Sequence, residues 1–338
     1  MKNIDRRQFL KIGGSAALGA LFLGVTGNYL WRMFTNPSEL FYGSKKKGGK
    51  QRDTTNEGFA SPYRLTFGFT APEEINAFEI CDDKIVLAAP NNIYIYSMAG
   101  QIENIFPIPS DVRDLAIYEG NIYLLFASRI EVYDMRGDML KEWQACSDDS
   151  DYCSFTVFAG GVFATDATNK NICKYNLDGS LARFVKSPDG FIVPSYSFGI
   201  THIGDTVYCS NPGRHLVEAY TADGDFIKSF GKAGTEAGAF SGCCNPVQLA
   251  STNAGEILTS EKGIPRICCY GTDGTFRSVL LNDKMLGGGH AAYDVRVHED
   301  KLIVAGNKNV KVFQYDSKQS AHTLCGSCDL DCPMKVIV

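Results

Sequence analysis

The stretch NIYLLFASRIEVYDMRGDMLKEW, residues 121–143, decides the fold, because it is an alternating strand, a polar turn and a second alternating strand. Its aromatic and β-branched residues suit a pleated, half-buried surface. The pattern occurs six times, and successive strand-ending aromatic residues lie 37 to 50 residues apart. These aromatic residues are Tyr96, Tyr133, Tyr175, Tyr220, Tyr270 and Phe313. The residue four positions after each aromatic residue is a turn glycine in five copies and a serine in the sixth: Gly100, Gly137, Gly179, Gly224, Gly274 and Ser317. Four-stranded units of this length predict propeller blades.

Both ends of the repeat region leave a strand without a partner. The sixth unit ends in VKVFQYDS at 310–317 and has no outer strand of its own, while the strand-like segment Tyr63–Phe69 precedes the first unit. We expect the two ends to pair, because closing the ring removes two open sheet edges. The sequence therefore predicts that residues 63–69 join the strand around Val310–Phe313.

The repeats over residues 63–317 resemble those of NHL-repeat six-bladed propellers. The resemblance is carried by the Tyr-x-x-x-Gly turns and by inner strands such as NPVQLA at 245–250. The segments GCCNP at 242–246 and TSEKGIPR at 259–266 are similar to a recurring signature of exported propellers of this type. The resemblance implies an all-β, six-bladed propeller closed by an N-terminal strand. A shared fold does not by itself specify a function.

The first 35 residues predict where the propeller works. Asp5–Lys11, DRRQFLK, resembles the twin-arginine export signature with its paired Arg6 and Arg7, and an apolar run follows at 13–27. The resemblance implies Tat-dependent export to the periplasm. No convincing A-x-A cleavage site follows, and the apolar stretch approaches the roughly 20 residues that span a bilayer. We therefore expect an uncleaved anchor in the cytoplasmic membrane. The alternative to a twin-arginine signal is an ordinary N-terminal membrane helix.

Residues 36–62 form a predicted basic linker between this leader and the propeller. Its lysines at 45–47 and 50 could each add about 1 kcal/mol of attraction to anionic lipid, or the segment is simply a solvated tether.

The whole chain has a net charge of −5 although its leader and linker are basic, so the propeller is acidic. An acidic propeller disfavours nucleic-acid binding.

All 12 cysteines lie after the leader. A periplasmic location permits disulfides, although the periplasm of an anaerobe does not impose them. Cys81 and Cys173 lie in strand patterns, which predicts buried free thiols that pack as small hydrophobic side chains. Cys268 and Cys269 lie in the strand ICCY, where successive side chains face opposite sides. We expect that second pair to pack separately.

The tail at 318–338 carries the spacing C-x2-C-x3-C-P, formed by Cys325, Cys328, Cys332 and Pro333. It resembles the end of a bacterial ferredoxin cluster motif, with His322 at the position of the first cysteine. The resemblance implies an iron–sulfur cluster, with His322, another cysteine or a partner supplying the fourth ligand. Zinc or copper binding, redox-active thiols and plain disulfides are the alternatives.

Propeller geometry predicts a second group of candidate residues. The loop between blades and the loop between the second and third strands of a blade open on the same face around the central channel. Cys243 and Cys244 in the first loop should therefore lie near Glu261, Lys262 and Arg266 in the second. Equivalent loops contribute further candidates for channel-face binding: Tyr196, Asn211, Arg214, His215, His290 and Tyr293.

The adjacent cysteines Cys243 and Cys244 allow two states. A disulfide between neighbouring residues is strained and easily reduced, whereas two free thiols beside Lys262 and Arg266 would have lowered pKa values and could bind a metal or act in redox chemistry. We expect the second state, with a large thiolate fraction near neutral pH. Plain structural roles remain the alternative for each surrounding residue.

Three functions follow from these patterns. The first is an exported, membrane-tethered propeller that binds a metal or redox cofactor through cysteines and serves a periplasmic electron-transfer or metal-handling complex. The second is an interaction scaffold with structural cysteines. The third is an enzyme resembling calcium-dependent lactonases or lyases, with Glu261, Asn211, Asp166 and His290 around the channel. Common hydrolase and nucleotide-binding motifs are missing from the sequence, which favours a role other than catalysis and identifies no catalytic residue.

Overall fold

Six four-stranded antiparallel sheets make up residues 59–288 and 292–316, the part of the chain that this computed structural model describes. The sheets follow one another along the chain, and their innermost strands surround a common channel. The predicted six-bladed propeller is therefore confirmed. The leader at 1–35, nearly all of the linker and the tail at 318–338 lie outside the described residues.

The first three blades are built from consecutive strands, written here from the innermost to the outermost. Blade 1 comprises β2 (Ala77–Cys81), β3 (Lys84–Ala88), β4 (Asn92–Ser97) and β5 (Ile102–Pro107). Blade 2 comprises β6 (Asp114–Tyr118), β7 (Asn121–Leu125), β8 (Arg129–Tyr133) and β9 (Met139–Gln144). Blade 3 comprises β10 (Tyr152–Phe158), β11 (Gly161–Asp166), β12 (Asn171–Tyr175) and β13 (Leu181–Val185).

The remaining blades follow the same order until the ring closes. Blade 4 comprises β14 (Ile200–Ile203), β15 (Thr206–Asn211), β16 (Leu216–Thr221) and β17 (Phe226–Phe230). Blade 5 comprises β18 (Gln248–Ser251), β19 (Glu256–Glu261), β20 (Arg266–Gly271) and β21 (Phe276–Leu281). Blade 6 comprises β22 (Asp294–His298), β23 (Lys301–Gly306), β24 (Asn309–Tyr315) and β1 (Tyr63–Thr70). Two 3₁₀ turns, Pro194–Tyr196 and Pro212–Arg214, and the short helix α1 (Asp283–Leu286) lie between strands.

The N-terminal strand closes the ring as the sequence predicts. Strand β1 pairs antiparallel with β24, so that Phe67 lies opposite Val312 and Phe69 opposite Val310. The outer edge of blade 6 is thereby covered, and the first and last described strands belong to one sheet. Within the described residues, no helix combines the length and apolar composition needed to cross a membrane.

The core lies between blades, because each blade packs one face against each neighbour. Six clusters of buried apolar side chains each combine residues from two adjacent blades, including the pair formed by blades 6 and 1. The turn glycine of the repeat belongs to this packing. Gly137 has φ +97, and a Cβ there would meet the Phe106 ring at 2.5 Å. The repeat thus needs glycine both for its backbone conformation and for contact with the preceding blade.

Candidate functional site

The connection from β17 to β18, residues 231–247, carries the adjacent cysteines of blade 5. The two Sγ atoms lie 3.0 Å apart, and neither residue forms a disulfide in the structure. Cys243 is exposed and Cys244 is buried, with its Sγ 3.5 Å from the Ser195 hydroxyl of the preceding blade. The loop therefore presents one thiol to solvent and holds a second immediately behind it.

Asn245 fixes the cysteines to the β19–β20 turn. Its amide nitrogen donates to the carbonyl oxygens of Ser241 (2.7 Å) and Lys262 (2.8 Å), and its Oδ1 accepts from the Lys262 backbone nitrogen at 2.9 Å. Asn245 is 1% exposed. Because the bond to Ser241 is buried and the two bonds to Lys262 are partly buried, they hold the loop against Lys262 more firmly than exposed bonds would.

Glu261 and Arg266 lie beneath this loop as an ion pair whose side chains are 0% exposed. They occupy opposite positions of the β19–β20 ladder, and the guanidinium donates to both carboxylate oxygens at 2.9 Å. Arg266 also donates to the carbonyl oxygens of Thr235 (3.2 Å) and Ala239 (2.5 Å) in the cysteine loop. The pair supports the loop from inside and is shielded from any ligand on its surface, in contrast to the channel-face position that the sequence suggests.

Lys262 is the blade 5 cation whose charge acts on the Cys243 thiol. Its Nζ lies 3.3 Å from the Ser197 hydroxyl, and its charge acts to lower the pKa of Cys243. The hydrogen bond with the neighbouring Cys244 sulfur and, after it, burial have the larger, opposite effect, so the pKa of Cys243 is raised above its ordinary value. Lys262 therefore does not bring the pKa of Cys243 below its ordinary value, in contrast to the lowering expected from the sequence.

Several of the other predicted residues lie on the same side of blades 4 and 5. Tyr196 is 60% exposed, and the His215 ring Nε2 lies 2.5 Å from the carbonyl oxygen of Gly242, next to Cys243. Arg214 donates to the carbonyl oxygens of Asp189 and, at 2.9 Å, Gly190. The 3₁₀ turns of blade 4 thus border the cysteine loop, although Arg214 is occupied by backbone.

The remaining channel-face candidates are not assembled with these residues. Asn211 is 0% exposed; it donates to Glu218 (2.7 Å) and accepts from the Ile192 backbone nitrogen at 3.0 Å, which makes it a support for its own loop. Tyr293 is 8% exposed and donates to the carbonyl oxygen of Gly288. His290, like His322, Cys325, Cys328 and Cys332, lies outside the described residues.

The cysteines of blade 3 differ from the prediction. Cys173 is buried, but it forms a disulfide with Cys146 from the β9–β10 connection. The expectation of a free thiol is wrong because that connection folds back over β12.

Cys81 is free but only partly buried. Cys268 and Cys269 are buried in two different clusters on opposite faces of their sheet, as their adjacent strand positions predict.

The central channel contains a polar group that the sequence does not predict. Arg296 donates to Glu79 at 2.8 Å and to Asp294 at 2.5 Å, and all three lie on or beside the innermost strands. A cavity of about 270 Å³ is lined by these inner strands and includes Arg296, Glu79 and His202. This polar group is hard to recognise in the sequence, because each inner strand contributes only one or two polar residues. They come together only when the six inner strands surround the channel.

Burial shifts the protonation of this channel group. It raises the pKa of Asp294 to about 6 and raises that of Asp114, although Arg296 opposes both shifts. Burial also lowers the pKa of His202, whose Nδ1 lies 2.6 Å from the Thr156 hydroxyl. Near neutral pH the channel therefore offers a neutral His202 imidazole together with Arg296 and its carboxylate partners.

Comparisons with known proteins identify the fold. Virginiamycin B lyase from Staphylococcus aureus is similar with a TM-score of 0.54 and 14% identity, over 75% of this chain and 99% of that one. A streptogramin B lyase gives 0.52 and 15%, over 75% and 97% of the two chains. A protein of unknown function from Bacteroides thetaiotaomicron gives 0.56 and 10%, over 75% and 72%. No protein-family model and no curated protein matches the chain. Identities this low support a shared propeller fold and no shared activity.

Proposed function

We propose that the protein is an exported propeller that binds a thiophilic metal ion at Cys243 and Cys244 and handles that ion for a periplasmic redox or metal-handling partner. The observation that carries the proposal is the pair of free thiols 3.0 Å apart, one exposed and one buried. The twin-arginine resemblance of the leader supplies the location, and the predicted anchor would keep the propeller at the cytoplasmic membrane.

The separation of the two sulfurs suits a shared ion. Tetrahedral zinc with Zn–S distances of about 2.3 Å separates its sulfur ligands by roughly 3.7 Å, so binding requires an opening of less than about 1 Å. Soft ions such as Cu(I) and Zn²⁺ favour thiolate ligands. The ion displaces the thiol protons, and Lys262 offsets part of the negative charge that the thiolates bring.

The exposure of Cys243 fits transfer of the ion rather than permanent storage. A structural zinc site is closed by four protein ligands, whereas this loop leaves one side of the thiol pair open to solvent. A partner could therefore approach the ion directly. The predicted tail site at Cys325, Cys328 and Cys332, with His322, would supply a second metal centre, either an iron–sulfur cluster or a zinc or copper ion.

Metal analysis and an absorption spectrum of anaerobically purified full-length protein test this proposal. Three proteins are compared: the natural chain, the Cys243→Ser/Cys244→Ser variant, and a chain truncated after residue 320. We expect the double variant and the truncation each to lose bound metal while the propeller remains folded by circular dichroism. Equal metal content in all three proteins would leave the cysteines structural and favour the scaffold function.

The channel supports a second candidate function, a lyase or other enzyme acting in the cavity. Arg296 uses Nε and Nη1 for protein partners, while its Nη2 has no hydrogen-bond partner among residues 59–288 and 292–316. A carbonyl or carboxylate group of a substrate could accept from it, beside the His202 imidazole. Turnover of a lactone that is lost in His202→Ala, and retained in Cys243→Ser, would favour this function over metal handling.

A further inference from the structure

We propose that Cys146, Cys173 and Asp166 form a further soft-metal site, in blade 3, which the Cys146–Cys173 disulfide closes and reduction opens. The ligand atoms of these three residues lie within 4.8 Å of one another. Nothing in this site depends on the cysteine loop of blade 5, so the inference stands or falls independently of the proposed function.

The position of Asp166 points to a cation. Its side chain is 0% exposed, at the end of β11, and it forms no ion pair within the described part of the chain. Backbone nitrogens of Asp151, Thr168 and Asn169 donate to Oδ1 at 3.1–3.3 Å, and the Asn169 amide donates to Oδ2 at 2.9 Å. These donors orient the carboxylate without supplying the positive charge that a buried carboxylate normally has beside it.

Two further oxygens surround the sulfurs. The Ser150 hydroxyl lies 3.5 Å from the Cys146 sulfur, and Asn171 Oδ1 lies 3.6 Å from the Cys173 sulfur. Two thiolates, a carboxylate and an amide or hydroxyl oxygen supply the four ligands of a tetrahedral zinc or cobalt site. Cys146 is only partly buried, so an ion can reach the group from solvent.

Reduction changes what the sulfurs can bind. A dithiol reductant gives two electrons and two protons to the disulfide, which becomes two thiols while the reductant becomes a cyclic disulfide. A divalent ion then binds both sulfurs and releases the two thiol protons to solvent. Because thiolates rather than disulfide sulfurs are good metal ligands, disulfide formation and metal binding exclude each other.

Zinc-dependent protection of Cys146 from alkylation tests the site without interference from the other cysteines. The full-length protein, oxidised or reduced, is treated with N-ethylmaleimide with and without Zn²⁺, and peptide mass spectrometry reads the label at Cys146. In the reduced protein we expect Zn²⁺ to slow labelling at least tenfold. In the oxidised protein Cys146 should stay unlabelled with or without Zn²⁺.

Variants identify the ligands. Asp166→Asn and Cys173→Ser should each abolish the protection of Cys146, while Asp178→Asn, which changes an exposed carboxylate of the same blade, should retain it. Near-ultraviolet circular dichroism of each reduced variant checks folding. If Asp166→Asn does not fold, a folded Cys173→Ser protein still tests the site. Absence of protection in the reduced natural protein, or undiminished protection in both folded ligand variants, would overturn the proposal.

Discussion

The cysteines of blades 3 and 5 illustrate how the scaffold decides the state of a thiol pair. In blade 5 the buried Glu261–Arg266 ion pair supports a loop that holds two free thiols, Cys243 exposed at the surface and Cys244 buried behind it. In blade 3 the β9–β10 connection brings Cys146 onto Cys173 and closes a disulfide. The difference lies in where the sulfurs come from: two neighbouring positions of one loop in blade 5, and a connection and a strand 27 residues apart in blade 3.

The largest expected effect comes from removing the support of the blade 5 loop. Arg266→Met leaves the Glu261 carboxylate buried without its partner, which should lower the free energy of unfolding by about 3–5 kcal/mol. Urea denaturation measures the loss. Arg183→Met is the matched control, because its guanidinium pairs with Asp225 at the surface, and we expect a change of at most about 1 kcal/mol. A loss below about 1 kcal/mol for Arg266→Met would mean that the loop does not depend on this pair.

Removing one cysteine from blade 3 and one from blade 5 should change the stability of the protein by different amounts. Cys146→Ser breaks a disulfide that spans 27 residues of sequence, and we expect a loss of about 2–4 kcal/mol under oxidising conditions. Cys243→Ser should change stability by no more than about 0.5 kcal/mol, because the side chain is exposed. Denaturation in the presence of a reductant provides the control, since it should bring the natural protein down to the level of Cys146→Ser. Equal losses for the two variants would contradict the comparison.

Thiol labelling over a range of pH should distinguish the half-buried Cys153 of β10 in blade 3 from the exposed Cys243 in blade 5. Burial raises the pKa of Cys153 to about 12, so at pH 8 its thiolate fraction is on the order of one in ten thousand. The pKa of Cys243 is also raised, yet its sulfur is open to reagent. Since thiolates react, both rates should rise with pH, and Cys243 should react at least tenfold faster than Cys153 at pH 8. Peptide mass spectrometry measures both; the reverse order would show that the loop shields Cys243.

The smallest expected effect concerns Lys262. Its charge lowers the pKa of Cys243, so Lys262→Met should raise that pKa and slow labelling of Cys243 about two- to threefold near pH 8. Lys262→Arg keeps the charge and should label at the natural rate. High salt should reduce the difference between the two variants, and a difference that persists unchanged in high salt would indicate a loop movement instead of an electrostatic effect.

The architecture was predictable because it depends on a repeated pattern. Each copy shows its aromatic residue and turn glycine, and the unpaired strand at 63–69 predicted the closure with β24 that the structure has. The opposite orientation of Cys268 and Cys269 followed from strand alternation alone. Such features depend on local periodicity, which a single sequence contains in full.

The sites were harder to predict because they depend on contacts between distant segments. Nothing in the spacing of Cys146 and Cys173 indicates that they meet, since disulfide connectivity does not follow from sequence. Glu261 and Arg266 were placed in the right loop, but their burial depends on the 231–247 segment folding over them. The channel position of Arg296 is not predicted, because a single charged residue in a strand indicates a solvent-exposed position. Its place in the channel depends on the six inner strands that surround it.

The most direct test of the central claim is the zinc stoichiometry of the reduced full-length protein, measured by equilibrium dialysis with Zn²⁺ and metal analysis. The natural chain and Cys81→Ser, which removes a partly buried free thiol away from both sites, should bind the same number of ions. Cys243→Ser/Cys244→Ser should bind one fewer per chain, whatever the tail and blade 3 contribute. An unchanged stoichiometry in the double variant would contradict a metal-handling role for the blade 5 loop.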